Sequence, residues 1–248
     1  MSFFSKIGSI FKCKTKVAPR VDSNGELIPK PIPSTVPITP PSHKPVQIED
    51  VNWVYPKNWK YIADPDGGKK LIRNKDNLPS GIVIHHTATY SLNSTVNYFK
   101  KNAVDVHFLI GHDGEIVQMV QCNKTAAHAG KSEWKGQKWL NNYYIGIEVV
   151  SIGWLKKKGD KYYDGYNREW KGKVRARKIQ GELYWEPFTS NQEKALRELS
   201  TWLCKTYKIP VSNIAAHFEV SPKRKNDPAG GMKVSMNSFR AEIKSLLT

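Results

Sequence analysis

Apolar residues along the chain recur with two periods, one suited to strands and one to helices. Ile82, Val83 and Ile84 form a short β-branched run without polar interruption, which fits a strand buried on both faces of a sheet. Residues 106–110 and 115–120 read as a hairpin joined by GHDG, with Asp113 and Gly114 in the turn. Residues 143–150, YYIGIEVV, give a further strand in which Glu148 is the one acid among apolar neighbours. Helical spacing governs three other stretches. Asn93 or Ser94 can cap a helix to about Lys101 that carries Val96 and Phe99 on one face. Ser190 and Glu193 have capping-box spacing ahead of an apolar stripe of Ala195, Leu196, Leu199, Trp202 and Leu203. Residues 235–247 predict a final helix with Phe239, Ile243, Leu246 and Leu247 turned inward.

The first 50 residues break with these patterns. In MSFFSKIGSIFKCK, the residues Phe3, Phe4, Ile7, Ile10 and Phe11 fall at helical spacing among lysines, so a short amphipathic helix able to lie on an anionic membrane is one reading. A frayed terminus with incidental periodicity is the other, because short isolated helices are marginal in water. Residues 18–49 are proline-rich, which removes backbone donors and favours an extended linker. The pattern places a folded domain at 51–248, after an N-terminal segment and linker at 1–50. Trp53, Tyr55, Trp59 and Tyr61 lead into that domain, either as core packing or as a sugar-binding surface. Within it, residues 151–187 form an insertion rich in basic and aromatic residues, Trp154 among them, whose GDKYYDGYNREWKGK portion suggests a hairpin.

Composition narrows the class of protein without choosing it. The 248 residues are 39% hydrophobic, enough for a core, and no run reaches the roughly 18–20 apolar residues that span a bilayer. Three scattered cysteines, Cys13, Cys122 and Cys204, do not make a disulfide framework, and Cys204 reads as an inert helix residue. A formal net charge of +17 predicts attraction to polyanions. No zinc-finger, helix-turn-helix or RNP signature accompanies it, so no specific nucleic acid is expected, while anionic wall polymers would meet the same charge.

Candidate chemistry lies at the end of the first strand. Side chains alternate along a strand, so His85 and His86 point to opposite faces and one of them, taken as His85, can join a given site. Far along the chain, His217 is followed ten positions later by Asp227, with Lys225 between them in a turn-rich loop. Two imidazoles and a carboxylate are good zinc ligands and leave a fourth position open, as catalytic sites require. On the residues alone, a core histidine, a turn aspartate and a solvated lysine remain equally open. Glu148 is costly to bury without a partner, which favours a functional role for it.

Five separated pieces, in this order, resemble the zinc-dependent N-acetylmuramoyl-L-alanine amidases of the type 2 class, which share a fold with the peptidoglycan recognition proteins. They are GIVIHHTAT (81–89), VHFLIGHDGEIVQMV (106–120), AAHAGKS (126–132), IGIEVV (145–150) and AAHFEVSPKRKNDP (215–228). The resemblance implies an α/β fold with a central mixed β-sheet flanked by helices. It implies Zn2+ held by His85, His217 and Asp227, with Glu148 as general base and Lys225 stabilising the oxyanion. His128 corresponds to a histidine facing the substrate groove. His107, expected to be buried and hydrogen-bonded, is counted with His128 and Trp154 as substrate-side, while His112 at the turn is expected to be exposed. Some relatives carry a tyrosine just before the hairpin histidine; here Val106 stands there, which leaves the base role to Glu148. The implied substrate is peptidoglycan, cut by a monomer at the bacterial cell wall as an endolysin-like lytic enzyme delivered by lysis or a virion. A non-catalytic peptidoglycan-binding module and a nucleic-acid-binding protein using the basic insertion are the alternatives.

Overall fold

Six short strands build the central sheet around the Gly81–His86 segment. In chain order the elements are β1 (Lys60–Tyr61), β2 (Gly81–His86), α1 (Leu92–Lys101), β3 (Phe108–Ile110), β4 (Ile116–Gln118), β5 (Glu133–Trp134), β6 (Gln137–Lys138) and β7 (Tyr144–Val149). The insertion follows as β8 (Trp154–Lys158), β9 (Lys161–Tyr163), β10 (Glu169–Trp170), β11 (Arg175–Ile179) and β12 (Glu182–Trp185). The chain closes with α2 (Ser190–Tyr207), β13 (Ile214–Ala216), α3 (His217–Val220) and α4 (Met236–Leu247). This computed structural model describes Tyr55, Lys60–Tyr61 and residues 78–248 other than 103 and 180. The amphipathic N-terminal segment, the proline-rich linker, Trp53, Trp59 and the side chain of Tyr61 lie outside the described residues.

The sheet runs β1-β4-β3-β7-β2-β13, with only the β3–β4 pair antiparallel. It is thus a mixed sheet, and β2 sits inside it between β7 and β13 with all six residues buried. Strand alternation then sorts the side chains onto two faces. Ile82 and Ile84 of β2, Ile145 and Ile147 of β7, and Phe108 of β3 point to the face covered by α2 and α4. There they meet Leu196, Leu199 and Leu203 from α2 and Phe239 and Ile243 from α4. Val83, Tyr144 and Ala215 take the other face and pack with Leu140, Ala129 and Val220. Tyr55 is buried and its ring meets Trp202 edge-on at 4.8 Å, so this lead-in aromatic packs on the domain instead of lining a sugar surface.

Helix ends differ from the sequence pattern by a residue or two. Ser91, not Asn93 or Ser94, caps α1 by accepting from the Ser94 amide. In α2 the reciprocal capping pair is Thr189 and Gln192, one position ahead of Ser190 and Glu193. The two frames are equally good as S/T-x-x-E/Q patterns; Thr189 wins because its hydroxyl also donates to the His112 carbonyl at 2.6 Å, anchoring the helix start. Leu246 of α4 is exposed, while Phe239 and Ile243 are buried as expected. The insertion holds the expected hairpin as β9–β10, within a five-stranded antiparallel sheet of order β10-β9-β8-β12-β11. Cys122 and Cys204 are both buried and outside any disulfide, and burial pushes the Cys204 thiol up to about 12.

Leu199 is fully enclosed between sheet and helix. Leu199→Ala is expected to lower the unfolding free energy by about 2–5 kcal/mol in chemical denaturation, and a loss below about 1 kcal/mol would contradict this core assignment.

Candidate active site

Three parallel strands deliver the site residues to one edge of the sheet. His85 lies near the carboxyl end of β2, Glu148 sits beside it in register on β7, and His217 begins α3 directly after β13. Asp227 follows in the loop beyond α3, tied back where its carbonyl accepts from the Phe218 amide at 3.0 Å. His85, His217 and Asp227 are all buried, and one ligating atom from each comes together within 4.8 Å. His85 Nδ1 is 2.8 Å from His217 Nδ1 and 3.2 Å from Asp227 Oδ2, which in turn is 2.9 Å from His217 Nδ1.

The outer nitrogens of these rings bear on what the inner ones are. His217 Nε2 lies 3.2 Å from the Ala129 carbonyl, which only accepts, and 3.4 Å from Arg224 Nη2, which only donates, while Nδ1 faces Asp227 Oδ2 at 2.9 Å; these contacts suit either tautomer, and a cation at Nδ1 would select the Nε2-protonated one. His128 Nε2 donates to the Tyr144 carbonyl at 3.2 Å, so His128 Nδ1 is an acceptor. It takes its hydrogen bond from His85 Nε2 at 3.0 Å, which leaves His85 Nδ1 bare. His85 Nδ1, His217 Nδ1 and Asp227 Oδ2 therefore converge on one point, where a cation would replace the proton that an imidazole–carboxylate contact shares. Burial pushes His85 down to about 3, with His217 adding to the effect and Asp227 opposing it, so His85 is neutral. Burial alone would raise the Asp227 carboxyl, but the facing His217 and His85 rings outweigh it and hold that group well below the usual range. Such a set of ligand atoms fits a divalent cation: tetrahedral zinc bonds of about 2.0–2.1 Å set donors about 3.3 Å apart, slightly wider than the separations seen here.

Glu148 borders the same space. Its Oε2 is buried without a hydrogen-bond partner, the mark of a group whose partner is water or substrate. Burial lifts its carboxyl well above the ordinary value, Asp227 adds to the rise, and Lys225 pulls it back. Lys225 is half-buried, and its charge also opposes protonation of His85.

The remaining sequence candidates divide. His128 belongs to the cluster; its ring lies over Gly146, where an added Cβ would fall 2.6 Å from it, so only glycine leaves room. His107 is completely buried, accepting from the Gly146 amide at 3.0 Å through Nδ1 and donating to the Lys124 carbonyl at 3.0 Å through Nε2. Both nitrogens are thus used by backbone, which makes it a support beneath His128 and corrects its placing on the substrate side. Trp154 belongs to the insertion sheet, half-buried with Lys156 Nζ 5.2 Å from its ring centre. His86 faces away from His85, toward Trp185 at 6.3 Å. His112 is not free in solvent but is 3.1 Å from Glu186 through Nε2. Sequence reasoning missed Arg224, whose Nη2 donates to the carbonyls of Ala129 at 2.8 Å and Lys131 at 3.0 Å. It thereby braces the carbonyl that orients His217.

An α/β sheet with two converging imidazole nitrogens, a carboxylate, a buried acid and an ammonium at its strand ends defines a candidate metal-dependent hydrolytic site. Comparison with known proteins agrees: the N-acetylmuramoyl-L-alanine amidase family model matches residues 75–230, and the chain belongs to that family. The N-acetylmuramoyl-L-alanine amidase AmiD of Escherichia coli (strain K12) is 31% identical over 154 residues, 59% of this chain and 48% of AmiD. The 1,6-anhydro-N-acetylmuramyl-L-alanine amidase AmpD of Haemophilus influenzae is 33% identical over 126 residues, 50% of this chain and 52% of AmpD. The chain thus spans about half the length of these curated relatives. The crystal structure of a Se-Met AmpD derivative shares the fold, with TM-score 0.52 at 22% identity over 77% of this chain and 98% of that one.

Because His85 and His128 are held neutral by burial, the unfolded chain binds more protons than the folded one below the ordinary histidine value of about 6.5. Stability of the metal-free protein is expected to fall as pH drops from 7 to 5, with His128→Gln flattening the slope; thermal melts that rise or stay level over this range would contradict it.

Proposed function

We propose that this chain hydrolyses the amide bond between N-acetylmuramic acid and the L-alanine of the peptidoglycan stem peptide, using zinc held by His85 Nδ1, His217 Nδ1 and an Asp227 oxygen. The observation that carries this reading is the convergence of two imidazole nitrogens and a carboxylate oxygen beside the unpartnered Oε2 of Glu148. Family membership supports the bond cut. Zinc, when bound, supplies Lewis-acid polarisation of the scissile carbonyl and makes water a stronger acid. Glu148 takes the proton of the attacking water at its free oxygen, and its raised affinity for protons suits it to hold that proton and release it to the departing amine of L-alanine. The Lys225 ammonium stabilises negative charge as it develops on the carbonyl oxygen. His128 fixes the His85 ring through Nδ1 and faces the substrate. Trp154, on the insertion, adds an aromatic surface for the sugar or peptide.

The complete donor set favours catalysis over a non-catalytic binding module. On this reading, residues 51–248 form the amidase domain, the preceding 50 residues a tail, and the protein acts as a monomer on the bacterial cell wall. The charge of +17 suits anionic wall polymers as secondary partners.

Glu148→Gln is expected to keep one zinc per chain while slowing release of stem peptides with free L-alanine amines by about 100–10,000-fold. Mass spectrometry of digested peptidoglycan measures this directly, and near-normal turnover would remove Glu148 as the base. Lys225→Ala is expected to cost about a hundredfold or more in kcat in the same assay; an effect confined to KM would make Lys225 a binding residue only.

A further inference from the structure

The segment that follows Asp227 is gripped from the insertion. Arg175 Nη1 donates to the Gly231 carbonyl at 2.6 Å and reaches that of Gly230 at 3.4 Å. Arg177 Nη1 donates to the Met232 carbonyl at 2.9 Å and reaches that of Val234 at 3.4 Å. Both arginines come from β11 and end on four carbonyls of one strap of backbone, residues 230, 231, 232 and 234, where charge-assisted bonds are the stronger kind. Trp185 of β12 completes the grip. It is fully buried, its Nε1 donates to the Arg177 carbonyl at 2.8 Å, and its ring lies so close to Gly230 that a Cβ there would fall 2.0 Å away.

The strap is coupled to the candidate ligand by tight local turns. The Gly231 amide donates to the Pro228 carbonyl at 3.0 Å and the Ala229 amide to the Asn226 carbonyl at 3.2 Å, so residues 226–231 move as a unit. On the other side, the Asp227 carbonyl accepts from the Phe218 amide, next to His217. Asp227 therefore lies between the His217 segment and a strap held by the insertion together with the Phe188 amide, which donates to the Gly231 carbonyl at 2.8 Å, and Glu193 Oε1, which accepts from the Lys233 amide at 2.7 Å.

We propose that the 151–187 insertion is a positioning device for the metal site: Arg175, Arg177 and Trp185 fix the 230–234 strap and thereby hold Asp227 Oδ2 against the two imidazole nitrogens. This rests on the metal-site reading above and adds to it a role for a module whose sequence suggests only a sticky surface. The three side chains are positioning residues, since they act through Asp227 and touch neither the imidazoles nor the space beside Glu148.

The test uses the full chain with Arg175 and Arg177 both changed to Gln, which keeps polar length but removes charge. Chelator competition should show zinc binding weakened by on the order of 10–100-fold, the usual cost of losing partners behind a metal ligand. Hydrogen exchange of the metal-free variant should quicken at residues 225–234 and not in α2 or β2. The double Arg→Lys variant, which keeps charged donors, should regain part of the affinity. Wild-type protein that binds no zinc would sink the metal-site reading and this proposal with it. Wild-type binding with unchanged affinity in the Gln variant would overturn the positioning role alone. Faster exchange throughout the domain would also overturn it, by reducing the arginines to general stabilisers.

Discussion

The structure turns on a convergence of three ligand atoms that the fold holds in place. Two imidazole nitrogens and one carboxylate oxygen are pressed to 2.8–3.2 Å in a buried space. Outward contacts set the rings in place: the Tyr144 carbonyl acts on His85 through His128, and the Ala129 carbonyl meets His217 Nε2. A backbone carbonyl is thus part of the site along with the ligands, because it orients the ring that offers the ligand atom.

That constraint explains the architecture around it. Parallel strands β13, β2 and β7 lie side by side so that residues distant in sequence arrive at one edge in register. The face covered by α2 and α4 is wholly apolar in the strands' central positions, which makes the sheet stiff where the donors must not drift apart. Glu148 shares the edge with one oxygen unpartnered, and burial, with the nearby Asp227 charge, keeps its proton affinity high. Stability of the sheet and reactivity at its edge are supplied by opposite faces of the same strands.

Much of this was legible in the sequence because it depends on side-chain type and on period. The buried β2 run, the β3–β4 hairpin and the opposed directions of His85 and His86 follow from that level, while the meeting of His85 with His217 and Asp227 came from the family resemblance, since the residues alone left it open. What could not be read depends on contacts made by any residue type. The carbonyls of Ala129 and Tyr144 carry no sequence signal. Arg224 sits in a KRK run that looks solvated, and Arg175 and Arg177 sit in a basic insertion that looks like a polyanion surface. The frame of the α2 cap was ambiguous by one residue, and only the contact of Thr189 with His112 resolves it. His107 was misplaced on the substrate side because a histidine in a strand gives no sign of what lies against each nitrogen.

Nitrogen-15 NMR of the histidine rings in the zinc-loaded protein tests the tautomer assignment directly. His85, His217 and His128 are expected to carry their protons on Nε2, with the Nδ1 resonances of His85 and His217 shifted by the metal and that of His128 not. Protons found on Nδ1 of His85 or His217, or metal shifts confined to Nε2, would contradict the account at its base.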